Sequence, residues 1–135
     1  MGERFYKPML LIAGMWNVAG GLFIIAASDW IFGRQDLTVP VPSLYYYAWI
    51  ALFITFGIGY LIVWRQPFDN KNIIVLGIIG KLGFSIVFIW NMYIYPAGIP
   101  RLFLIPAVGD LMFVVLFILF LRFARGQSGS WTGTE

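Results

Sequence analysis

Four long runs of apolar residues, separated by short polar stretches, form the dominant pattern along this chain. Each run has more than 20 residues, and at ~1.5 Å per residue about 20 helical residues cross a hydrocarbon core of roughly 30 Å. The pattern therefore predicts an all-α fold, an integral membrane four-helix bundle, with spans at about residues 9–32, 44–64, 73–93 and 101–121.

The ends of the runs carry the residues expected at a membrane boundary. The second run opens with three consecutive tyrosines from Tyr45 and closes at Trp64, and such rings suit the headgroup region because the polar tip stays wet. Proline and glycine between Pro96 and Pro100 turn the chain into the fourth run. The first run has a basic start like a signal peptide, but it exceeds the usual ~15 apolar residues, and we interpret it as an uncleaved helix.

The lengths of the runs leave room for one domain only. Residues 1–125 are predicted to form a single four-span domain, and residues 126–135, rich in Gly, Ser and Thr, a flexible cytoplasmic tail. The loop at residues 33–43 is either a simple connector, which we favour, or a segment that rests on a neighbouring subunit.

Basic residues flank the spans unevenly. Because Lys and Arg accumulate on the cytoplasmic side, the count predicts that both termini are cytoplasmic and that the chain is a multi-pass protein of the plasma (inner) membrane. One side carries Arg4, Lys7, Arg65, Lys71, Arg122 and Arg125, and the other carries only Arg34 and Arg101.

Composition narrows the chemistry further. The chain is 61% hydrophobic and 11% charged, with no Cys and no His. Disulfides, zinc thiolate sites, His-ligated haem and imidazole-based catalytic triads are therefore excluded within this polypeptide. The net charge of +3 is explained by topology, so we expect no nucleic-acid partner. Because Cys and His are both missing, we also expect no cofactor and no enzymatic activity.

Two ionisable residues, Lys81 and Asp110, lie deep inside apolar runs, where a charge costs at least ~2.5 kcal/mol and normally faces a partner, a cavity or a pathway. Counting from the cytoplasmic ends of the spans places Lys81 and Asn17 roughly 12 Å deep, and Thr55 and Asp110 within one helical turn of that level. Ser85 follows Lys81 at i+4, on the same helix face. We therefore predict an intramembrane polar layer of these five residues, with a salt bridge between Lys81 and Asp110.

Three roles are open for the Lys81 and Asp110 pair. The pair could act as a structural clasp that sets the register of two helices. It could instead form a binding site for an ion, a proton or an anion, or attract a charged residue of a partner protein. The clasp is favoured. For Asn17 an interhelical hydrogen bond is favoured over a transport role.

Glycine is frequent within the runs. Small residues let helix backbones approach closely in a membrane, where dispersion and interhelical hydrogen bonds hold a bundle together. We expect this role for Gly14, Gly20, Gly21, Gly77, Gly80 and Gly83.

Three short segments, Arg65-Gln66-Pro67, Gly80-Lys81 and Gly109-Asp110, together resemble a pattern of small uncharacterised bacterial four-span proteins. The resemblance covers under half of the chain and implies no activity. The chain differs from the small multidrug transporters, because its first helix offers Asn17 in place of a membrane-embedded Glu.

The function favoured by these observations is a non-enzymatic accessory or scaffold subunit of a larger membrane complex, in contact with the lipid bilayer and with other membrane subunits. The alternative is a small homo-oligomeric transporter or channel, ion- or proton-coupled, with Lys81 and Asp110 on the path. A lipid-modifying enzyme that uses Asp110 as base or Lys81 as nucleophile is a third reading, with no motif behind it.

Overall fold

The computed structural model describes residues 3–128, and within them it contains four long helices, one short helix and one 3₁₀ turn. The predicted all-α fold with four long apolar helices is confirmed, and each of the four has the length and composition to cross a membrane. The elements are α1 (Glu3–Ala26), α2 (Ser28–Gly33), α3 (Leu44–Arg65), α4 (Lys71–Ile94), the 3₁₀ turn (Arg101–Phe103) and α5 (Leu104–Ser128).

The ends of the first and last helices differ from the prediction. Helix α1 begins at Glu3, six residues before the predicted start at Met9, and α5 continues through Ser128. The first three residues of the predicted flexible tail, 126–128, are therefore helical, and residues 129–135 lie outside the described part of the chain.

The first predicted span is a bent pair of helices. Ala27 interrupts it with φ −109° and ψ 14°. The Ser28 hydroxyl donates to the carbonyl of Ile24 at 2.8 Å and lies 3.2 Å from that of Ile25. Such a bond to the preceding turn competes with the helix backbone and commonly bends a helix. The Ser28 hydroxyl also lies 3.2 Å from the Tyr46 hydroxyl, which ties the bend to α3.

The four long helices form two antiparallel hairpins, α1 with α3 and α4 with α5, which then pack against each other. Glycine sets the closest approach in the first hairpin. A Cβ atom on Gly57 would lie 2.8 Å from Asn17 Cβ and 2.9 Å from the Val18 backbone nitrogen, so α1 and α3 meet there almost backbone to backbone.

The apolar core consists of two clusters. We call the end of the bundle that holds the start of α1 the proximal end, and the end that holds α2 and the 3₁₀ turn the distal end. The proximal cluster is built around Tyr60, Phe117 and Phe120, and the distal cluster around Ile50 and Phe103. Of the buried polar residues in the described part of the chain, Asn17, Lys81, Ser85 and Asp110 lie between the two clusters, and Ser28 lies beside the distal cluster.

The distal loop packs on its own bundle. Leu37 and Val39 contact the distal cluster, and the Gln35 side-chain oxygen accepts a hydrogen bond of 3.2 Å from the Arg101 backbone N–H. The connector between the first two spans therefore caps the distal end of this chain.

Candidate functional site

Lys81 lies on α4 at the centre of the bundle and is 4% exposed, while Asp110 on α5 is 2% exposed. The predicted salt bridge is confirmed, because Lys81 Nζ pairs with Asp110 Oδ1. Packing of α4 along α5 brings the two residues to one level, since consecutive antiparallel helices place equal depths side by side. The flexible lysine stem spans the remaining offset.

Asn17 joins this pair to the other hairpin. Its side-chain oxygen accepts a hydrogen bond of 3.0 Å from Lys81 Nζ, and its side-chain N–H donates to the carbonyl of Phe53 at 3.0 Å. Asn17 is 2% exposed. The bonds therefore run from α5 through Asp110 to α4, then to α1 and on to α3. We call Lys81, Asp110 and Asn17 the polar triad.

Aromatic rings surround the lysine ammonium group. Lys81 Nζ lies 5.9, 5.5 and 5.4 Å from the ring centroids of Phe53, Tyr60 and Phe113. Ring faces carry partial negative charge, and such contacts gain strength when water is excluded. The cation is thus held by a carboxylate, an amide oxygen and three rings. No periodicity in the sequence marks these rings as partners of Lys81.

Ser85 is buried one turn from Lys81, on the same face of α4 as predicted. Its hydroxyl donates to the carbonyl of Ala107 at 3.2 Å, which is a second link between α4 and α5. Ser85 therefore lies at the level of the polar layer and binds the backbone of α5. Within residues 3–128 no hydrogen bond joins it to the triad.

The placement of Thr55 in the polar layer was wrong. Its side chain is exposed, and its hydroxyl donates to the Ala51 carbonyl of its own helix at 2.8 Å. The inward face of α3 follows the helical spacing of Phe53, Gly57 and Tyr60, all of which are buried. Thr55 has the right depth but stands on the opposite face of the helix.

Trp16 and Gly109 are site residues that the sequence reasoning missed. A Cβ atom on Gly109 would lie 2.7 Å from the Trp16 ring, so this glycine admits the indole beside Asp110. The Trp16 Nε1 atom is buried without a hydrogen-bond partner in the described part of the chain. The sequence could have indicated Gly109, because it directly precedes Asp110, a carboxylate predicted to be buried. Nothing in the sequence distinguishes Trp16 as a site residue.

A cavity of about 210 Å³ reaches the triad from the side of α3 and α4, with Leu52 and Gly80 in its wall. A second cleft, of about 330 Å³, opens at the distal end between the same helices. Both are lined by Trp49 and Phe84, whose rings are stacked with centroids 5.3 Å apart and planes at 16°. The stacked pair separates the distal cleft from the triad.

The polar groups at this site are the Lys81 amine and the Asp110 carboxylate in contact, with the Asn17 amide and the Tyr60 phenol beside them. Among residues 3–128 no group of three or more His, Cys, Asp or Glu residues is arranged to hold a metal ion. Asp110 is the single acidic group at the triad, and Lys81 occupies it. The ion pair and the bonds of Asn17 link all four long helices of the bundle.

Comparison with known proteins adds no identity. Neither a protein-family model, nor a curated protein, nor a solved structure matches this chain at a significant level. The resemblance to small bacterial four-span proteins stays a prediction, and the functional argument depends on the geometry of the triad and on the surface of the bundle.

Proposed function

We propose that this chain is a non-enzymatic accessory or scaffold subunit of a larger membrane complex, and that the polar triad is the clasp that fixes its shape. In this role the chain crosses the inner membrane four times with both termini in the cytoplasm, as the excess of Lys and Arg at the proximal end favours. It contacts the lipid bilayer and one or more other membrane subunits.

The observation that carries this proposal is the closed hydrogen bonding of the triad. Lys81, Asp110 and Asn17 are each at most 4% exposed and bind one another. A buried ion pair whose members bind each other favours the arrangement of helices that keeps them together, and setting helix register is the best-attested use of such groups. A fixed shape is what a scaffold needs in order to present a surface to another protein.

The surface of α4 supplies the place where a partner helix would pack. Gly83 was predicted to serve internal packing, but this was wrong, since an added Cβ atom would meet no atom within 4 Å. Ile79 and Ile86, on the same helix face, are 63% and 64% exposed. Small residues on an outward helix face are typical of helix–helix contacts in membranes. We infer that this face, Ile79, Gly83 and Ile86, meets another subunit.

Native mass spectrometry of the protein extracted gently from its own membrane tests the proposal. We expect a stoichiometric heteromeric assembly. Gly83→Leu should lose the partner while the bundle stays folded, because a leucine there projects into open space. The matched control is Ala51→Leu on the exposed side of α3, which should keep the partner. A lone monomer or a purely homomeric wild-type assembly would contradict the accessory role.

The cavity beside the triad favours the second candidate, a small homo-oligomeric transporter or channel that uses Lys81 and Asp110. In that case the Trp49–Phe84 stack is the barrier between the distal cleft and the ion pair. Removing both rings by Trp49→Ala with Phe84→Ala would raise ion flux in liposomes, and Lys81→Met with Asp110→Leu would abolish it. The accessory role predicts no flux above protein-free liposomes for all of these variants.

A further inference from the structure

A groove of about 500 Å³ runs between the distal part of α1, α2 and the beginning of α5. Its size lies within the range of small-molecule binding sites, roughly 300–1,000 Å³. The walls are apolar, with both aliphatic and aromatic side chains, and include Trp16, Phe23, Trp30, Phe103 and Ile105. It lies on the other side of the bundle from the cavity at the triad.

The groove opens sideways, toward the region that lipid would occupy. Phe23, Trp30 and Ile105 are 53%, 51% and 57% exposed. Ala19 contributes only a methyl group to the wall where α1 faces α5. Because α1 packs along α3 while α5 packs along α4, the gap between α1 and α5 is left unfilled at this end. A flexible hydrocarbon chain fits such a lateral apolar slot.

Both basic residues of the distal end stand beside this groove. The Arg34 guanidinium carbon lies 5.0 Å from the centroid of the Trp30 ring, which is part of the wall. Arg101 directly precedes Leu102 and Phe103, which line the groove, and its backbone N–H bonds to Gln35, the neighbour of Arg34. The Arg34 guanidinium therefore lies against the wall of the slot, and the Arg101 backbone lies at the same end of it.

The guanidinium groups are available for a ligand. Both arginines are exposed, and within residues 3–128 neither forms an ion pair, although the carboxylates of Asp29 and Asp36 lie at the same end of the chain's fold. A guanidinium presents paired N–H donors that match phosphate oxygens. Basic pockets between membrane helices bind anionic lipid headgroups, a pattern described for the cytoplasmic side. In the topology proposed above, the same chemistry would act here in the opposite leaflet.

We propose that the groove binds one anionic phospholipid of the bilayer, with an acyl chain along the wall formed by Trp16, Trp30 and Ile105 and the phosphate between Arg34 and Arg101. The apolar slot and the flanking charges together select a molecule that has both a hydrocarbon tail and a negative head. This site uses none of the three residues of the polar triad, although its wall includes Trp16 and Phe53, which also pack around the triad.

Native mass spectrometry of the purified protein tests the site by titration with phosphatidylglycerol or phosphatidylcholine of identical acyl chains. We expect the protein to retain one phosphatidylglycerol molecule in preference to phosphatidylcholine. Arg34→Gln and Arg101→Gln should weaken its binding about 5-fold singly and about 30-fold together, because each basic residue near an anionic headgroup adds attraction. Ala19→Phe, which fills the slot with a ring, should abolish retention of that lipid.

Two matched controls localise the effect. Arg65→Gln with Arg122→Gln removes two exposed charges at the proximal end, and Ala51→Phe adds a ring on an exposed face away from the groove. Both should leave the preferred lipid bound. Equal binding of the two lipids to the wild-type protein would overturn the proposal. Unchanged retention of phosphatidylglycerol by the Ala19→Phe variant would also overturn it. The same holds if Arg65→Gln with Arg122→Gln weakens binding of this lipid as much as Arg34→Gln with Arg101→Gln.

Discussion

Replacing Lys81 by Met or Asp110 by Leu is expected to destabilise the bundle by about 3–5 kcal/mol, because each change leaves a buried charge without its partner. Replacing both residues together should restore part of the free energy of unfolding, since an apolar pair needs no compensating charge. The recovery is incomplete because the buried Asn17 oxygen loses its donor. The pair is 3% and 2% exposed at its side chains, so an unpaired charge there is shielded from bulk water and reached only through the small cavity between α3 and α4.

Reversible unfolding of the wild type, the two single variants and the double variant in mixed detergent micelles measures this cycle. The interaction term of the cycle isolates the coupling between the two groups. A clasp requires the double variant to be more stable than either single variant. A double variant less stable than both would contradict it.

Gly57→Ala is expected to destabilise the bundle by about 1–3 kcal/mol, the usual cost of overpacking a core. The added methyl would lie 2.9 Å from the Val18 backbone nitrogen and 2.8 Å from Asn17 Cβ. Backbone cannot yield as a side-chain tip can, so α1 and α3 must separate. That movement also pulls Asn17 away from the Phe53 carbonyl.

Gly83→Ala is the matched control, with the same chemical change at a position with no neighbour within 4 Å. It should be neutral or slightly stabilising, because alanine favours a helix over glycine by up to about 1 kcal/mol. Unfolding of both variants under the same detergent conditions gives the comparison. Equal stability of the two variants would refute the close packing of α1 on α3.

The four helices could be predicted because the requirement is simple, a run of apolar residues long enough to cross the hydrocarbon core. The ion pair could be predicted for a related reason. Charges at equal depth on consecutive antiparallel helices must find a partner when the surroundings are apolar. Lys81, Asp110 and Asn17 each have a depth that the sequence fixes, and the structure brings all three together.

Depth alone did not determine which face of a helix points inward, and this is why Thr55 was misplaced. In α3 nearly every position is apolar, so hydrophobicity carries no signal of the inward side. The bend at Ala27 was missed for a similar reason. The apolar run continues through it, and only the hydroxyl of Ser28 distinguishes a bent helix from a straight one.

The aromatic surroundings of Lys81 and the lateral groove depend on how the two hairpins meet. Phe53 and Phe113 lie 60 positions apart in the sequence, on helices of different hairpins, and both lie near the ammonium group. Pairings of this kind follow from tertiary packing, which a single sequence does not encode in any local pattern. The same holds for the gap between α1 and α5.

Native mass spectrometry of the Lys81→Met, Asp110→Leu double variant, extracted from its own membrane, tests most directly whether the triad acts as a clasp within a scaffold. The account predicts that the folded double variant keeps the same partner at the same stoichiometry as the wild type, because the outward face around Gly83 is unchanged. Loss of the partner from a double variant that remains folded would contradict it, since the charges would then serve the assembly itself.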